Sequence, residues 1–155
     1  MIAPVRTLIA AAFAAWCAAP VSAAERSWFT VVGHPDQADV DTIQVDVASI
    51  QGNENERTAM IRVSRASLRI SPWADVKFRS FEALVHFDCP SRMARYRAVT
   101  YWSQPIWQGE PLRSVTFGPQ SDSLMRFRGV EPNPAERIVR AACESHGISS
   151  AQPRR

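Results

Sequence analysis

The stretch Ser80–Trp102, SFEALVHFDCPSRMARYRAVTYW, alternates apolar and polar residues on both sides of a short break at Pro90 and Ser91. Alternation with a period of two is typical of a half-buried β-strand, because successive side chains point to opposite faces of a sheet. Proline and serine favour a turn. The stretch therefore predicts two long antiparallel strands, Ser80–Cys89 and Ala94–Trp102.

The same alternation predicts which side chains share a face of the sheet. In the first strand, one face carries Phe81, Ala83, Val85, Phe87 and Cys89. In the second strand, Tyr96, Ala98, Thr100 and Trp102 lie opposite Arg95, Arg97, Val99 and Tyr101.

Four further segments continue the period-two pattern on either side of this pair. They are SWFTVV (27–32), TIQVDV (42–47), TAMIRVSRA (58–66) and LRSVTF (112–117). Polar turns separate them, as at GHPD (33–36) and QGNENE (51–56). Short strands joined by turns predict an antiparallel meander in which one face of the sheet is more exposed to solvent.

The period changes after Glu131, in the segment NPAERIVRAACE (133–144). Asn133 is a good N-cap, Pro134 suits the first helical position, and Glu136 completes a capping box. The apolar side chains then fall on one helical stripe: Ile138, Val139, Ala142 and Cys143. An α+β fold is predicted, with a strand meander and one C-terminal helix.

The first 23 residues have the pattern of a signal peptide. Arg6 precedes an uncharged apolar run from Thr7 to about Ala19, and Val21-Ser22-Ala23 forms a small-residue cleavage site. The run is short for a membrane span, which needs about 20 residues. Trp16 disfavours lipid attachment at Cys17, which we expect to be removed with the leader. The protein is predicted to be exported, to the periplasm or outside the cell.

Removal of the leader leaves two cysteines, Cys89 and Cys143. An even pair in an oxidising compartment predicts a disulfide. The alternatives are a metal-binding thiol, which would need further ligands at close spacing, and a catalytic thiol, which would need a nearby histidine. His86 lies on the opposite strand face from Cys89. The two sulfurs both point into one core, so the disulfide would hold the helix on the sheet.

The remaining chain has the size of one domain, predicted at 24–145, followed by a flexible tail at 146–155. The full sequence has a formal net charge of +3, and its basic residues are nearly all arginine, with Lys77 the single lysine. This modest charge does not require a nucleic-acid partner.

No catalytic or metal-binding pattern is present in the sequence. There is no phosphate-binding glycine loop, nucleophile elbow or paired-carboxylate motif. Asp46 and Ser49 resemble an acid–hydroxyl pair, but we expect Asp46 to face solvent and Ser49 to cap a turn. The histidines, His34, His86 and His146, have no metal-ligand spacing. Neither an enzyme nor a cofactor is predicted.

The candidate binding residues are arginines and one tryptophan. Arg95 and Arg97 project from one strand face, with Arg113 on the neighbouring strand, and such a stripe suits an acidic polymer or an acidic protein. The alternative is a solvated face whose arginine stems cover apolar surface. Trp107 lies between turn residues in the loop Ser103–Pro111, where an exposed aromatic contact is expected.

Four pieces of the sequence, in their order, resemble the surface-adhesin protein E-like family of proteobacteria. These are SWFTVV (27–32), VDVASI (45–50), FEALVHFDCPSRMARYRAV (81–99) and RAAC (140–143). The resemblance implies a curved antiparallel sheet of about six strands, with a C-terminal helix tethered by the Cys89–Cys143 bond. It also implies adhesion to host matrix proteins. The matched motifs are structural, so the resemblance assigns no binding residue.

The predicted function is therefore that of a non-catalytic exported binding protein, whose partner is a host matrix protein or an acidic polymer. The alternative is a periplasmic envelope protein that binds a small ligand such as haem, or has a purely structural role. A homodimer that forms through an edge strand is also compatible with the sequence.

Overall fold

Six β-strands and one α-helix follow one another along the chain in the computed structural model, which describes residues 25–144. The strands are β1 (Trp28–Val32), β2 (Thr42–Gly52), β3 (Glu56–Ile70), β4 (Lys77–Asp88), β5 (Met93–Trp102) and β6 (Pro111–Thr116), and the helix is α1 (Ala135–Glu144). The predicted leader 1–23 with Cys17, and the predicted tail 146–155, lie outside the described residues.

The strands form one antiparallel sheet in the order β1-β2-β3-β4-β5-β6, so each strand pairs with its neighbour in sequence. This confirms the predicted α+β fold with a six-strand meander and a C-terminal helix. No helix within residues 25–144 is long and apolar enough to cross a membrane.

The two faces of the sheet differ in polarity. One face, called the core face, carries the buried side chains Ile43, Val45, Ile61, Val63, Ala83, Val85 and Val99, and α1 packs on it through Ile138, Val139 and Ala142. The other, called the outer face, carries a row of polar residues that pair across all six strands: Thr30, Gln44, Arg62, Glu82, Thr100 and Ser114. The outer face is the more polar one, which confirms the prediction of one face that is more exposed to solvent.

A β-bulge in β5 shifts the alternation that the sequence predicted. Leu84 pairs with Ala98 but Val85 pairs with Tyr96, so Arg97 is an extra residue on the β5 side. Beyond the bulge the faces exchange, and Val99 and Tyr101 are buried on the same side as Tyr96. The predicted face assignment is correct before Arg97 and wrong after it.

The predicted helix start and disulfide are both present. Asn133 Oδ1 accepts a hydrogen bond from the amide of Ala135 at 3.0 Å, which is the N-cap contact. Cys89, directly after β4, is bonded to Cys143 near the end of α1, with Cα atoms 5.6 Å apart. The bond holds the apolar stripe of the helix on the core face.

A segment without a predicted element, residues 123–130, completes the core. Tyr96 donates its backbone N–H to Ser123 O at 2.8 Å, and Met125 donates to Ala94 O at 2.9 Å, so the segment lies along the first half of β5. Its side chains Met125, Phe127 and Val130 are buried. This segment covers the part of the core face that α1 leaves open.

Candidate functional site

The three predicted binding arginines do not share one face. Arg95 pairs with His86 on the outer face, and Arg97 occupies the β5 bulge. Arg113 pairs with Tyr101, whose ring is buried on the core face, so Arg113 lies on the core face and not on the same face as Arg95. None of the three guanidinium groups forms an ion pair or hydrogen bond within residues 25–144.

Trp107 is half-buried and held by several hydrogen bonds. Its amide donates to Ser80 Oγ at 3.1 Å and its indole Nε1 donates to Phe81 O at 3.0 Å. The neighbouring Ile106 amide donates to Ser64 Oγ at 3.0 Å. These contacts fold the predicted contact loop back against the sheet, so Trp107 is not a free loop tip.

Arg62 lies between two indole rings on the outer face. Its Cζ is 4.0 Å from the centre of the Trp107 ring and 4.2 Å from that of Trp28, which is cation–π geometry on both sides. Its Nε donates to Gln44 Oε1 at 2.7 Å. Burial lowers the pKa of Arg62, and the Glu82 carboxylate opposes this. The arrangement stabilises the sheet and leaves little of the Trp107 ring for a ligand.

Asp46 and Ser49 shape a bulge in β2 and are not an acid–hydroxyl pair. Asp46 is only 3% exposed, so the expectation that it faces solvent is wrong. Its Oδ1 accepts the amides of Ser27 at 2.9 Å and Ala48 at 3.1 Å. Ser49 Oγ donates to Asp46 O at 2.7 Å and accepts the Met60 amide at 2.8 Å. Both side chains thus satisfy backbone groups that the bulge leaves unpaired.

The other titratable candidates of the described residues lie at strand ends and turns. Asp88 accepts the Ser91 amide at 3.3 Å at the end of β4, and hydrogen bonding by Ser91 lowers the pKa of its carboxyl group. His34 lies in the turn after β1, and His146 is outside the described residues. Within residues 25–144 no group of three or more His, Cys, Asp or Glu side chains could hold a metal ion.

A cavity of about 730 Å³ lies on the core face, and we call it the arginine cavity. Aromatic residues form its floor: Trp73, Phe78, Phe81, Tyr96 and Tyr101. Arginines from two segments surround it: Arg65 and Arg69 of β3, and Arg126 and Arg128 beyond β6. Asp122 is the one carboxylate in its lining.

An irregularity between β3 and β4 opens one wall of this cavity. Ser64 pairs with Ser80, and the next paired residues are Arg69 and Phe78. β3 therefore has more residues than β4 between these two pairs, and its end bulges out of the sheet. On the opposite wall, Trp73 Nε1 donates to Asp122 O at 3.1 Å. The Trp73 ring meets Tyr96 edge to face, with ring centres 5.4 Å apart. The cavity is therefore built by packed elements and not by a single loop.

Two buried polar atoms in the lining have no hydrogen-bond partner among the described residues: Arg65 Nε and Tyr96 Oη. Arg65 is 4% exposed and Tyr96 is 1% exposed. By contrast, Tyr101 Oη shares a hydrogen bond with Ser71 Oγ at 2.9 Å. Since nearly all buried polar groups are paired, these two unpaired donors are an unusual feature of the lining.

The charges around the cavity are unbalanced. Arg65 Nη2 lies 3.3 Å from Asp41 Oδ2 and donates to Arg128 O at 2.7 Å, so one end of this guanidinium is already held. Burial lowers the pKa of Arg65, Asp41 raises it, and Arg69 lowers it further. Burial raises the pKa of Tyr96, which keeps its hydroxyl protonated as a donor. The site thus offers donors and positive charge above an aromatic floor.

The sequence interpretation missed this cavity, although a signal for it exists. Residues 123–130, SLMRFRGV, alternate Met125 and Phe127 with Arg126 and Arg128, which is the same period-two pattern used to predict the strands. Reading them as an extended segment would have placed two arginines together on one side. Their approach to Arg65 and Arg69 depends on tertiary packing.

A family model described as surface-adhesin protein E matches residues 28–144, from the start of β1 to the end of α1. No curated protein and no solved structure matches the chain. The family match confirms the resemblance predicted from the sequence, and it indicates an adhesin-like protein that is exported or displayed at the cell surface. The chain belongs to the surface-adhesin protein E family.

Proposed function

We propose that the protein is a non-catalytic exported binding protein that contacts a host matrix protein or an acidic polymer through Arg95 and Arg97. The observation that carries this proposal is the state of these two guanidinium groups. Arg95 lies on the outer face and Arg97 occupies the β5 bulge, and neither guanidinium group forms an ion pair or hydrogen bond within residues 25–144. Arginine groups that form no internal hydrogen bond can form paired hydrogen bonds to carboxylate, sulfate or phosphate groups.

Retention on immobilised heparin tests this proposal. Arg95→Glu combined with Arg97→Glu should elute at clearly lower salt, with the circular dichroism spectrum unchanged. Lys77→Glu combined with Arg140→Glu makes the same change in net charge at two exposed positions away from the bulge, and should keep most of the retention. Equal losses in the two double variants would show a net-charge effect and reject the Arg95/Arg97 site.

Export by the leader 1–23 is part of the proposal, as is the choice between cell surface and periplasm. Cleavage after Ala23 or Ala24 should make Ala24 or Glu25 the N-terminal residue of the mature protein, as measured by mass spectrometry. Protease digestion on intact cells supports adhesion if the protein is cleaved. Protection until the outer membrane is opened would favour an envelope-internal partner and reject a role in host adhesion.

A second candidate function is the binding of a small ligand such as haem inside the periplasm, or a purely structural role. The arginine cavity, at about 730 Å³, supports the small-ligand form because its volume lies in the usual range for ligand sites. Titration with haem should give a Soret shift if haem is the ligand. The absence of a Soret shift would reject haem as the ligand.

Dimer formation through an edge strand remains a further candidate. β6 is an edge strand of the sheet, and its Leu112 side chain is 47% exposed. Unpaired edge strands can pair with a second copy. Sedimentation velocity over a range of concentrations distinguishes a dimer from a monomer, and a single monomer species throughout would reject it.

A further inference from the structure

The arginine cavity has the volume, floor and polar groups of a small-molecule site. Its volume of about 730 Å³ falls within the 300–1,000 Å³ range of ligand pockets, which are mostly apolar with a few well-placed polar groups. The site lies on the core face, whereas Arg95 lies on the outer face. An inference about the cavity therefore does not depend on the proposed contact through Arg95 and Arg97, and it deepens the second candidate function, the binding of a small ligand.

The floor of the cavity selects a flat or hydrocarbon body. Phe78 and Tyr101 have ring centres 5.0 Å apart, and Phe78 and Phe81 have ring centres 5.7 Å apart in an edge-to-face arrangement. Phe81 also meets Tyr96 edge to face at 5.9 Å. Such a cluster presents apolar ring surface that an aryl group or a hydrocarbon chain can cover.

The upper part of the cavity selects a negatively charged group. Gly129 has a φ of +76°, and a Cβ atom built on it would lie 3.5 Å from Nη2 of both Arg65 and Arg69, so the two guanidinium groups flank the same backbone position. Both arginines also line the cavity, and two neighbouring cations favour an anion beside them. Asp122 is the single carboxylate of the lining and cannot balance the arginines.

Two unpaired donors belong to residues of the cavity lining. Arg65 Nε and Tyr96 Oη are both donors of residues that line the cavity, and both lack a partner within residues 25–144. Both atoms are buried, so an anion reaches them only when the side chains that cover them move. The other end of the Arg65 guanidinium is fixed by Asp41 and the carbonyl of Arg128. A carboxylate or sulfonate that accepts from Arg65 Nε and Tyr96 Oη would satisfy both donors, while its organic body lies on the aromatic floor.

We propose that the arginine cavity binds a small organic anion, made of an aryl or hydrocarbon body and one carboxylate or sulfonate group. The body packs on Phe78, Phe81 and Tyr101, and the anionic group accepts hydrogen bonds from Arg65 and Tyr96. Arg69 and Arg126 supply further positive charge at the mouth.

Isothermal titration of the disulfide-bonded protein with 2-naphthoate tests the proposal, with neutral 2-naphthamide as the comparison ligand. We expect 2-naphthoate to bind about tenfold more tightly, since hydrogen bonds to a charged group discriminate by about that factor. Equal affinity for the two ligands, or no binding of 2-naphthoate at millimolar concentration, would overturn it.

Three variants locate the site. Tyr96→Phe removes only the hydroxyl group and should weaken 2-naphthoate about fivefold to tenfold without lowering the unfolding midpoint, because no internal hydrogen bond is lost. Arg69→Gln, at an exposed position of the mouth, should also weaken binding. Arg140→Gln, on the exposed side of α1, is the matched control and should leave affinity unchanged. Equal affinity in all three variants would place the ligand elsewhere and reject the assignment.

Discussion

The Arg62 guanidinium lies 4.0 Å from the centre of the Trp107 ring, and this contact joins the loop after β5 to the middle of β3. Trp28 of β1 covers the other side of the guanidinium at 4.2 Å. Three separate parts of the chain therefore meet at a single arginine on the outer face. A side chain in this position stabilises the fold, which explains why Trp107 is half-buried in a loop of turn residues.

Replacement of Arg62 should destabilise the protein without changing its fold. Arg62→Ala removes both ring contacts and the hydrogen bond to Gln44, so the free energy of unfolding should fall by about 2–3 kcal/mol. Arg62→Lys keeps the charge but loses the planar group between the rings, and should give an intermediate value. Urea unfolding measures both. If Arg62→Ala and the wild type unfold at the same concentration of urea, the contact has no energetic role.

The two tyrosines of the chain predict how its stability changes at alkaline pH. Tyr96 and Tyr101 are each 1% exposed, and burial raises the pKa of both. The unfolded chain releases the phenolic protons near pH 10, whereas the folded protein holds them to higher pH. Their contribution to stability is therefore complete below about pH 10 and decreases as the pH rises above it.

Absorbance at 295 nm, which reports tyrosinate, should stay low above pH 10 until the protein unfolds, and then rise in one step with the loss of circular dichroism. Tyr96→Phe should lose less stability than the wild type as the pH rises above about 10, since one of the two linked protons is absent. A gradual rise in absorbance while the circular dichroism stays native would contradict the burial of these rings.

The alternation of β4 was sufficient to predict its buried face, because Ala83, Val85 and Phe87 are buried as the period-two pattern requires. The helix start was likewise a local property, carried by Asn133 and its contact with the Ala135 amide. The Cys89–Cys143 bond followed from the number of cysteines and the predicted compartment. Each of these predictions depends on local pattern or on counting.

The features that the sequence interpretation missed depend on contacts between distant segments. The extra residue Arg97 exchanges the faces of β5, yet nothing in the order of residues around it marks a bulge. Asp46 is buried because the amide of Ser27, from another part of the chain, approaches it. The arginine cavity is formed where the end of β3 meets residues 122–128, and their approach is set by packing on the core face.

The Cys89–Cys143 bond should provide much of the stability of this small domain. It joins residues 54 apart in sequence, and closing a loop of that length stabilises the folded state by up to about 4 kcal/mol through the entropy of the unfolded chain. Dithiothreitol should therefore lower the urea midpoint strongly. The double variant Cys89→Ser and Cys143→Ser should resemble the reduced protein and show no response to dithiothreitol. Free thiols at both positions in the native protein would disprove the bond.

The buried carboxylate of Asp46 gives a final prediction, on how β1 is held against β2. Asp46→Ala leaves the amides of Ser27 and Ala48 without their acceptor in a largely buried site, which should cost about 1–3 kcal/mol of unfolding free energy. Asp46→Asn keeps one acceptor oxygen and should lose less. Hydrogen exchange measured by NMR should show the Ser27 and Ala48 amides exchanging faster in Asp46→Ala than in Asp46→Asn. Identical exchange rates in the two variants would mean that water replaces the carboxylate, and that Asp46 does not fix this edge of the sheet.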